Sequence, residues 1–536
     1  MKCINVLYIS NDSIIGGATI SLLDMLYGMR LYYNVNPIVV LPSNGRLKDE
    51  LNKLGVKYYV VEFSNGFGLI GHKSEKCIKE NYRDNYKAAR KIQNIIKKEK
   101  IQLVHINSST SNVGAITAIL TGIPYIWHIR ELLEEQFDSE YWDKELKVLL
   151  MNHASFIIAI SNTVSRVIKN RYHINSSVVY DGVNSSNYIS TNREINIKES
   201  VNNFIITGCI DEGKGQIDAI KAVELLVKEG IDDINLFIVG RGDTWYRWYI
   251  ERYIENKNLK KYIQICPFCL NLRELRNQCK YSLTTSRYEA LGRCTIEPMI
   301  NGNIVIGADT AGTLEIIGKR QERGYLYKAG DAKSLAQTMK YVLKLDSEEV
   351  ERKRDIAREY VLDSFDLKEY CDKIYKIYKK VIVEKRDNEV LKEELHKKFL
   401  DSMLTKNCKE ENVIYSDIIK KWNNVINEKY KMADYLNDKN VKTIAIYGMG
   451  KLGCKLYDEL HESEEKIEIS YVVDRKSKYL SDLFKVVNPK DKFPLVDLMI
   501  VCVSMEEKEI KEFCENKCSF AVKGISEILD DIMRSN

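Results

Sequence analysis

TTSRYEALGRCTIEPMINGNIVIGAD, residues 284–309, decides how the fold is read. An apolar run, Tyr281–Thr284, leads into it, a turn follows around Gly292, and a segment of helical spacing ends at a second apolar run, Ile304–Ile306. Strand, loop, helix, strand is the repeating unit of a parallel sheet, and such sheets bind ligands outside the carboxyl ends of their strands. The loop carries two carboxylates, Glu289 and Glu297, with Gly292 between them. Pro298 lacks an N–H and predicts a helix start near Cys294, with Glu297 in the first turn and Glu289 on the loop before it. The backbone N–H groups of Leu291, Gly292 and Arg293 then point toward an anion. One loop thereby offers a phosphate cradle, a carboxylate for sugar hydroxyls and a second carboxylate near a reacting carbon. Two glutamates at this spacing on an arbitrary helix are a solvated face. The glycine and the strand exit make this pair specific.

The same alternation runs along the rest of the chain. Apolar runs at Ile4–Ile9, Pro37–Leu41, Tyr58–Val61, Leu103–Ile106, Tyr125–His128, Phe156–Ile160 and Val178–Tyr180 are separated by helical spacing, as in Asp84–Lys98 and Asn162–Arg171. The pattern restarts with Phe204–Thr207, Leu236–Val239 and Ile263–Ile265, ahead of the opening stretch. It predicts an α/β protein with two doubly wound domains, 1–190 and 191–385. Residues 331–385 read as helical throughout, and 366–385 are expected to pack back on the first domain. In 386–440, Leu391, Leu395, Phe399 and Leu404 keep near-helical spacing and predict a helical linker. A third alternating unit, small and Rossmann-like, fills 441–536.

Composition narrows the function classes. The 536 residues are 45% apolar and 29% charged, the balance of an ordinary soluble globular protein of two to four domains. A net charge of +5 spread over 81 basic and 76 acidic residues is too weak to imply nucleic acid, and leaves local contact with an anionic membrane open. MKCINVLYISNDS turns polar too soon for a signal peptide, and no uncharged run reaches the roughly 20 residues of a membrane span. Thirteen cysteines fit a reducing cytoplasm better than a disulfide framework. Cys266 and Cys269 in CPFC have C-x-x-C spacing without a second pair, which reads as packed thiols rather than as a metal or redox site. Abundant Lys, Ile, Asn and Tyr point to AT-rich coding and a bacterial source.

Three further strand exits carry candidate chemistry. Gly16 and Gly17 follow the first strand and precede an apolar-periodic helix, which suits either a phosphate site or a plain turn. His128 ends the fifth run in IPYIWHIRE beside Arg130 and Glu131; it is either a packed core histidine or a donor and proton carrier facing a cleft. Lys214 lies in the glycine-flanked turn of TGCIDEGKGQIDAI, either solvated or set to neutralise a pyrophosphate leaving group.

In order, the motifs are GGA at 16–18, WHIRE at 127–131, AISNTVS at 159–165, DGV at 181–183, KGQ at 214–216, EALGRCTIE at 289–297 and TAGTLEII at 310–317. Through them the first 385 or so residues resemble glycosyltransferase family 4, retaining sugar-nucleotide-dependent enzymes with the GT-B fold. The resemblance implies that Glu297 binds the donor ribose, that Glu289 lies beside the transferred sugar, and that His128 hydrogen-bonds that sugar near its anomeric centre. It implies that Lys214 and the 291–293 backbone hold the diphosphate, with Gly16 and Gly17 facing it. No metal is implied, since lysine and helix dipoles replace the cation. The implied acceptor is a saccharide, a lipid-linked glycan or a protein. It would meet variable loops of the first domain such as SNGFGLIGHKS, 64–74. The implied location is cytoplasmic, with peripheral membrane contact open. Three positions depart from the family. Cys209 stands where an arginine is usual, leaving Arg293 and Arg287 as candidate replacements. Pro267 stands in place of a glycine, and Leu291 in place of an aromatic.

A second pattern competes. IAIYGMGKLGCKLYDEL, 444–460, spaces Gly448, Gly450 and Gly453 as G-x-G-x-x-G, and Asp474 with Arg475 ends the next apolar run. Read alone, this is a dinucleotide-binding start with Asp474 for a ribose hydroxyl, and NAD or another nucleotide would be the ligand. The same glycines also serve close strand–helix packing. A dehydrogenase needs a substrate domain, and nothing after Asp474 supplies one. An NAD-dependent oxidoreductase and a non-catalytic glycosyltransferase-like partner subunit are therefore the rival readings, and an accessory role for 441–536 is favoured.

Overall fold

Apolar runs that continue on both faces of a strand are the mark of a sheet covered on each side, and they set the three main sheets here. In the computed structural model, residues 3–71, 74–189, 202–242, 245–269, 271–383, 388–403, 411–427, 431–463, 465–474, 477–504 and 507–535 are described. The expected domain boundaries at 190/191 and 385/386, His72 and Lys73 of the acceptor-side loop, Leu404 and Arg475 lie outside them.

The strands are β1 (Ile4–Ile9), β2 (Val35–Leu41), β3 (Lys57–Val60), β4 (Phe67–Leu69), β5 (Leu103–Ile106), β6 (Tyr125–Ile129), β7 (Ser139–Tyr141), β8 (Phe156–Ala159) and β9 (Ser177–Val178). All but β4 and β7 form one parallel seven-stranded sheet in the order β3-β2-β1-β5-β6-β8-β9. A second parallel sheet has six strands. They are β10 (Asn202–Thr207), β11 (Ile234–Val239), β12 (Ile263–Cys266), β13 (Tyr281–Thr284), β14 (Ile304–Ala308) and β15 (Tyr325–Tyr327), ordered β12-β11-β10-β13-β14-β15. The third consists of β16 (Thr443–Tyr447), β17 (Glu468–Val473), β18 (Val486–Val487), β19 (Leu498–Val501) and β20 (Ala521–Gly524), ordered β18-β17-β16-β19-β20. In each sheet the strand order reverses beside the first strand of the unit, the switch point where α/β folds bind ligands.

Two compact units emerge. One comprises residues 1–209, 213–240 and 262–407; the other comprises 210–212, 241–261 and 408–536. Within the first, helix Leu367–Val381 packs on helix Gly17–Tyr32, with Tyr370 and Tyr378 buried in the core beneath β1 and β2. Helix Glu389–Met403 packs on helices Glu75–Glu99 and Val113–Thr121, and the Tyr82 hydroxyl donates to the Leu395 carbonyl at 2.5 Å. The second unit buries Trp422, Ile446, Leu456, Ile500 and Ile528 in one core.

Several local expectations change. Residues 331–383 are three helices, Ala332–Val342, Ser347–Ser364 and Leu367–Val381, because Asp346 and Asp366 each cap a new N-terminus. The antiparallel pair β4–β7 and strand β15, each only three residues long, carry no period that a sequence reading detects. The helix after the opening loop starts at Arg293, which puts Glu297 in the second turn and Pro298 beyond the first. The proline ring leaves the Cys294 carbonyl without its helical donor, and the Thr284 hydroxyl supplies one at 3.3 Å.

Candidate functional site

The Glu289 loop is held by main chain on several sides. The Arg287 N–H donates to the Gly213 carbonyl at 2.7 Å and the Gly312 N–H donates to the Glu289 carbonyl at 2.9 Å. The Thr285 hydroxyl donates to the Lys214 carbonyl at 2.8 Å. Gly292, at φ +102°, takes the left-handed turn that starts helix Arg293–Asn301, and a side chain there would be strained. Leu291 is buried. The first N–H groups of the helix have no helical acceptor before them, which favours an anion at this end.

Glu289 is 6% exposed. One oxygen accepts from Lys214 Nζ and from Ser286 Oγ, both at 2.5 Å, with Cys294 Sγ at 3.6 Å. Burial works to raise its pKa, but the adjacent Lys214 ammonium and these donors outweigh it and hold the carboxyl below its usual range. Burial, reinforced by Glu289, pushes the Cys294 thiol up to about 12, so this sulfur stays protonated. An ionised carboxylate and an ammonium therefore meet beside the start of a helix.

Glu297 sits in a denser network. Its oxygens accept from Arg276 Nη2 at 3.0 Å, Arg293 Nε at 3.0 Å and the Tyr188 hydroxyl at 3.1 Å. Arg293 continues to Asp24 at 2.9 Å and Ser21 at 3.2 Å, both on helix Gly17–Tyr32, and so links the two sheet domains of the first unit. Arg287 pairs with Asp218. Both candidate substitutes for the arginine missing at Cys209 thus engage carboxylates. Arg276, on the short helix Arg273–Asn277, is a cation that sequence reasoning missed. It is 1% exposed, reaches Thr207 Oγ1 at 3.3 Å, and has Nε and Nη1 buried without a hydrogen-bond partner among the described residues. In RELRN it reads as part of a solvated charged face, so no sequence signal marks it.

His128 is fully buried at the end of β6. Its Nδ1 lies 3.4 Å from Arg130 Nη2 and 3.3 Å from His105 Nε2. A guanidinium only donates, so Nδ1 accepts and the proton of the neutral ring sits on Nε2. That Nε2 has no hydrogen-bond partner among the described residues and lies 3.9 Å from Asp181 Oδ1. Arg130 binds both oxygens of Asp181 at 2.5 Å. Burial, helped by the Arg130 charge, holds His128 well below the ordinary imidazole value and His105 at about 3. Gly16 caps helix Gly17–Tyr32, and the space where a Cβ would stand is open at both Gly16 and Gly17. Cys266 and Cys269 are free thiols, the second exposed rather than packed.

The neutral histidines make a pH prediction. Their folded values are depressed, so the stability they contribute is present above about pH 6.5 and is lost as pH falls toward the folded values. The slope is at most about 1.4 kcal/mol per pH unit for each ring. Thermal unfolding followed from about pH 7 to pH 5 is expected to show the first transition falling, with a flatter slope in His105→Asn. Equal slopes for the two proteins would refute the assignment.

In the second unit, Gly453 lies where an added Cβ would meet the Gly448 carbonyl oxygen at 2.2 Å, so this glycine permits strand–helix packing. Gly448 has φ +91°, and Gly450 opens to free space. Asp474 accepts the Met449 N–H at 2.8 Å and so braces the glycine loop.

The family model described as Glycosyltransferase Family 4 matches residues 37–187, and that described as Glycosyl transferases group 1 matches 189–360. The chain is 21% identical over 329 residues to the capsular polysaccharide biosynthesis glycosyltransferase CapH of Staphylococcus aureus, covering 58% of this chain and 83% of that protein. The structure of Anabaena HepE in complex with UDP and glucose superposes with a TM-score of 0.59 at 19% identity, covering 70% of this chain and 100% of that one. A mutant of S. aureus TarM, in complex with Fondaparinux, alpha-GlcNAc-glycerol and UDP, gives 0.55 at 13% identity over 70% of this chain and 100% of its own. The two family models take in both the His128 strand exit and the Glu289 loop, and the chain belongs to the family 4 type of GT-B glycosyltransferases, carrying a further Rossmann-like sheet in residues 441–536.

Proposed function

We propose that this glycosyltransferase moves a sugar, with retention of configuration and without a metal, from a nucleoside diphosphate-sugar to a saccharide, lipid-linked glycan or protein acceptor. The relatives named above favour bacterial surface glycan synthesis and make a UDP-sugar the first donor to test. The observation that carries the reading is the Glu289–Lys214 pair at the start of helix Arg293–Asn301.

The donor diphosphate would lie against the N–H groups of residues 291–293 and the Lys214 ammonium, where negative charge grows as the leaving group departs. A carboxylate offers about four acceptor sites, and Glu297 uses three, which leaves one for a ribose hydroxyl. Glu289 would sit beside the anomeric carbon and offset the positive charge that develops there. His128 has its Nδ1 lone pair engaged, so it serves as an Nε2–H donor to a sugar oxygen and not as a base. The bond from the anomeric carbon to the phosphate oxygen breaks, the bond to the acceptor oxygen forms on the same face, and the acceptor proton passes to the departing phosphate. Gly16 and Gly17 would face the diphosphate from the other domain, and acceptor contacts would come from the loops of residues 1–190. Arg276 contributes the second buried positive charge near the nucleotide, in place of the arginine missing at Cys209.

Nucleotide release from UDP-, GDP- and ADP-sugars without acceptor tests this, together with the anomeric configuration of the product by NMR. Release from one donor and an unchanged anomer are expected. Binding without release from any donor would mark a non-catalytic partner subunit, and an inverted product would remove the same-face step.

A further inference from the structure

Two motifs of the chain take no part in the chemistry above, AISNTVS at 159–165 and TAGTLEII at 310–317, and they meet each other. The first begins helix Asn162–Tyr172 in the first sheet domain, and the second forms helix Ala311–Ile317 in the other. The meeting point is Glu315. One of its oxygens accepts from the Asn162 N–H at 3.0 Å, from Asn162 Nδ2 at 2.7 Å and from the Tyr180 hydroxyl. The other accepts from the Thr163 N–H at 3.2 Å and from Thr163 Oγ1 at 3.1 Å. All five donors belong to the first sheet domain. Two of them are the leading N–H groups of helix Asn162–Tyr172, which find no acceptor within their own helix and favour an anion at that end. Burial works to raise the Glu315 pKa, but the Tyr180 hydroxyl and the donors of 162 and 163 outweigh it and hold the carboxyl below its usual range. Glu315 is an ionised helix cap supplied from the opposite domain.

Both motifs also grip the main chain of the Glu289 loop. Ser161 caps its own helix by accepting from the Val164 N–H at 3.1 Å, and its buried hydroxyl donates to the Ala290 carbonyl at 2.5 Å. From the other motif, the Gly312 N–H donates to the Glu289 carbonyl at 2.9 Å. A Cβ at Gly312 would stand 2.3 Å from the Leu291 carbonyl oxygen, so helix Ala311–Ile317 lies directly on the loop. The consecutive carbonyls of Glu289 and Ala290 are thus held from different domains, and Glu315 fastens the two holders to each other. A displacement of about 1 Å at a reacting group can cost about 100-fold in rate, so this frame bears on where the Glu289 carboxylate stands.

We propose that Glu315 and Ser161 are positioning residues, which clasp the Glu289 loop to the first sheet domain and align Glu289 only while the two domains are joined. The expected effect on rate rests on the role proposed above for Glu289; the clasp itself rests on the contacts. Donor diphosphate binding, assigned above chiefly to Lys214 and the 291–293 backbone, would be little affected by its loss.

Glu315→Gln keeps the length of the side chain and one acceptor oxygen, but sets an amide donor against the donors of helix Asn162–Tyr172. Hydrogen exchange of the full chain, followed by mass spectrometry without ligand, is expected to quicken in residues 286–292 of this variant. Its kcat for UDP-sugar hydrolysis should fall about tenfold, with the calorimetric Kd for UDP within about twofold of native. Thr163→Val, which removes one donor and leaves the backbone N–H, should act in the same sense and less strongly. Added to Glu289→Gln, Glu315→Gln should cost no more than about a further twofold, because the clasp acts through the carboxylate already removed. Faster loop exchange together with a neutral Glu289→Gln would uphold the clasp and remove Glu289 from the chemistry. Unchanged loop exchange in Glu315→Gln, or the same loss of rate in the native and Glu289→Gln backgrounds, would overturn the proposal.

Discussion

Glu289→Gln is expected to lower the rate of transfer about 100- to 1000-fold while donor affinity stays within about threefold. Glutamine keeps the shape of the side chain and can still accept from Ser286, which donates to Glu289 at 2.5 Å. What it removes is the negative charge that, on the function proposed above, would lie beside the anomeric carbon and be needed only as positive charge develops there. Lys214, released from its 2.5 Å pairing with Glu289, remains available to the diphosphate, so ground-state binding survives. Nucleotide release and calorimetric donor binding, measured on the same preparation, distinguish a loss in kcat from a loss in KM. Transfer within threefold of the native rate would remove Glu289 from the chemistry.

Glu297→Ala is expected to act in the opposite order, on folding before rate. Arg276 and Arg293 both donate to this carboxylate at 3.0 Å; Arg276 is buried and the Arg293 side chain is 10% exposed. Removing one member of a buried ion pair costs about 3–5 kcal/mol, because the partner charge is left without compensation. Both arginines lose this partner, but among the described residues Arg293 keeps a second carboxylate, Asp24 at 2.9 Å, and Arg276 is left stranded. Urea unfolding of the first transition should shift by that amount, and Glu297→Ala/Arg276→Met should recover part of it by removing the stranded cation. Donor KM should rise about tenfold in both proteins if Glu297 accepts a ribose hydroxyl as proposed, since that acceptor is gone from each. Equal stability of the single variant and the native chain would mean that the arginines find other partners.

Much of the site could be read in the sequence because its motifs are local. In EALGRCTIE, nine consecutive residues hold both glutamates, the left-handed glycine and the helix start, so their relation follows from helix geometry alone. The same holds for His128, which strand β6 carries to its exit, and for Lys214 ahead of helix Gln216–Lys228. The helix starts at Arg293, one residue before the start near Cys294 that Pro298 suggests; a proline in a helix is costly by itself and favours the shortest stretch of helix ahead of it. The Thr284 hydroxyl, brought close by strand β13, lowers that cost.

The chain's own order therefore determined the two doubly wound domains, the glycine loop ahead of helix Arg293–Asn301 and the small Rossmann-like unit, since strand and helix periods and turn residues are properties of neighbours in sequence. Only the tertiary structure decided which charges meet. Arg293 finds Asp24 across 269 residues, and Arg276, unremarkable in RELRN, becomes a buried cation under Glu297. Helix Trp245–Asn256, which lies between β11 and β12 in the chain, joins the core of the second unit, with Trp248 bound to Asp458. Pairing between distant charges depends on how surfaces bury one another, and burial is set by packing that no local pattern encodes.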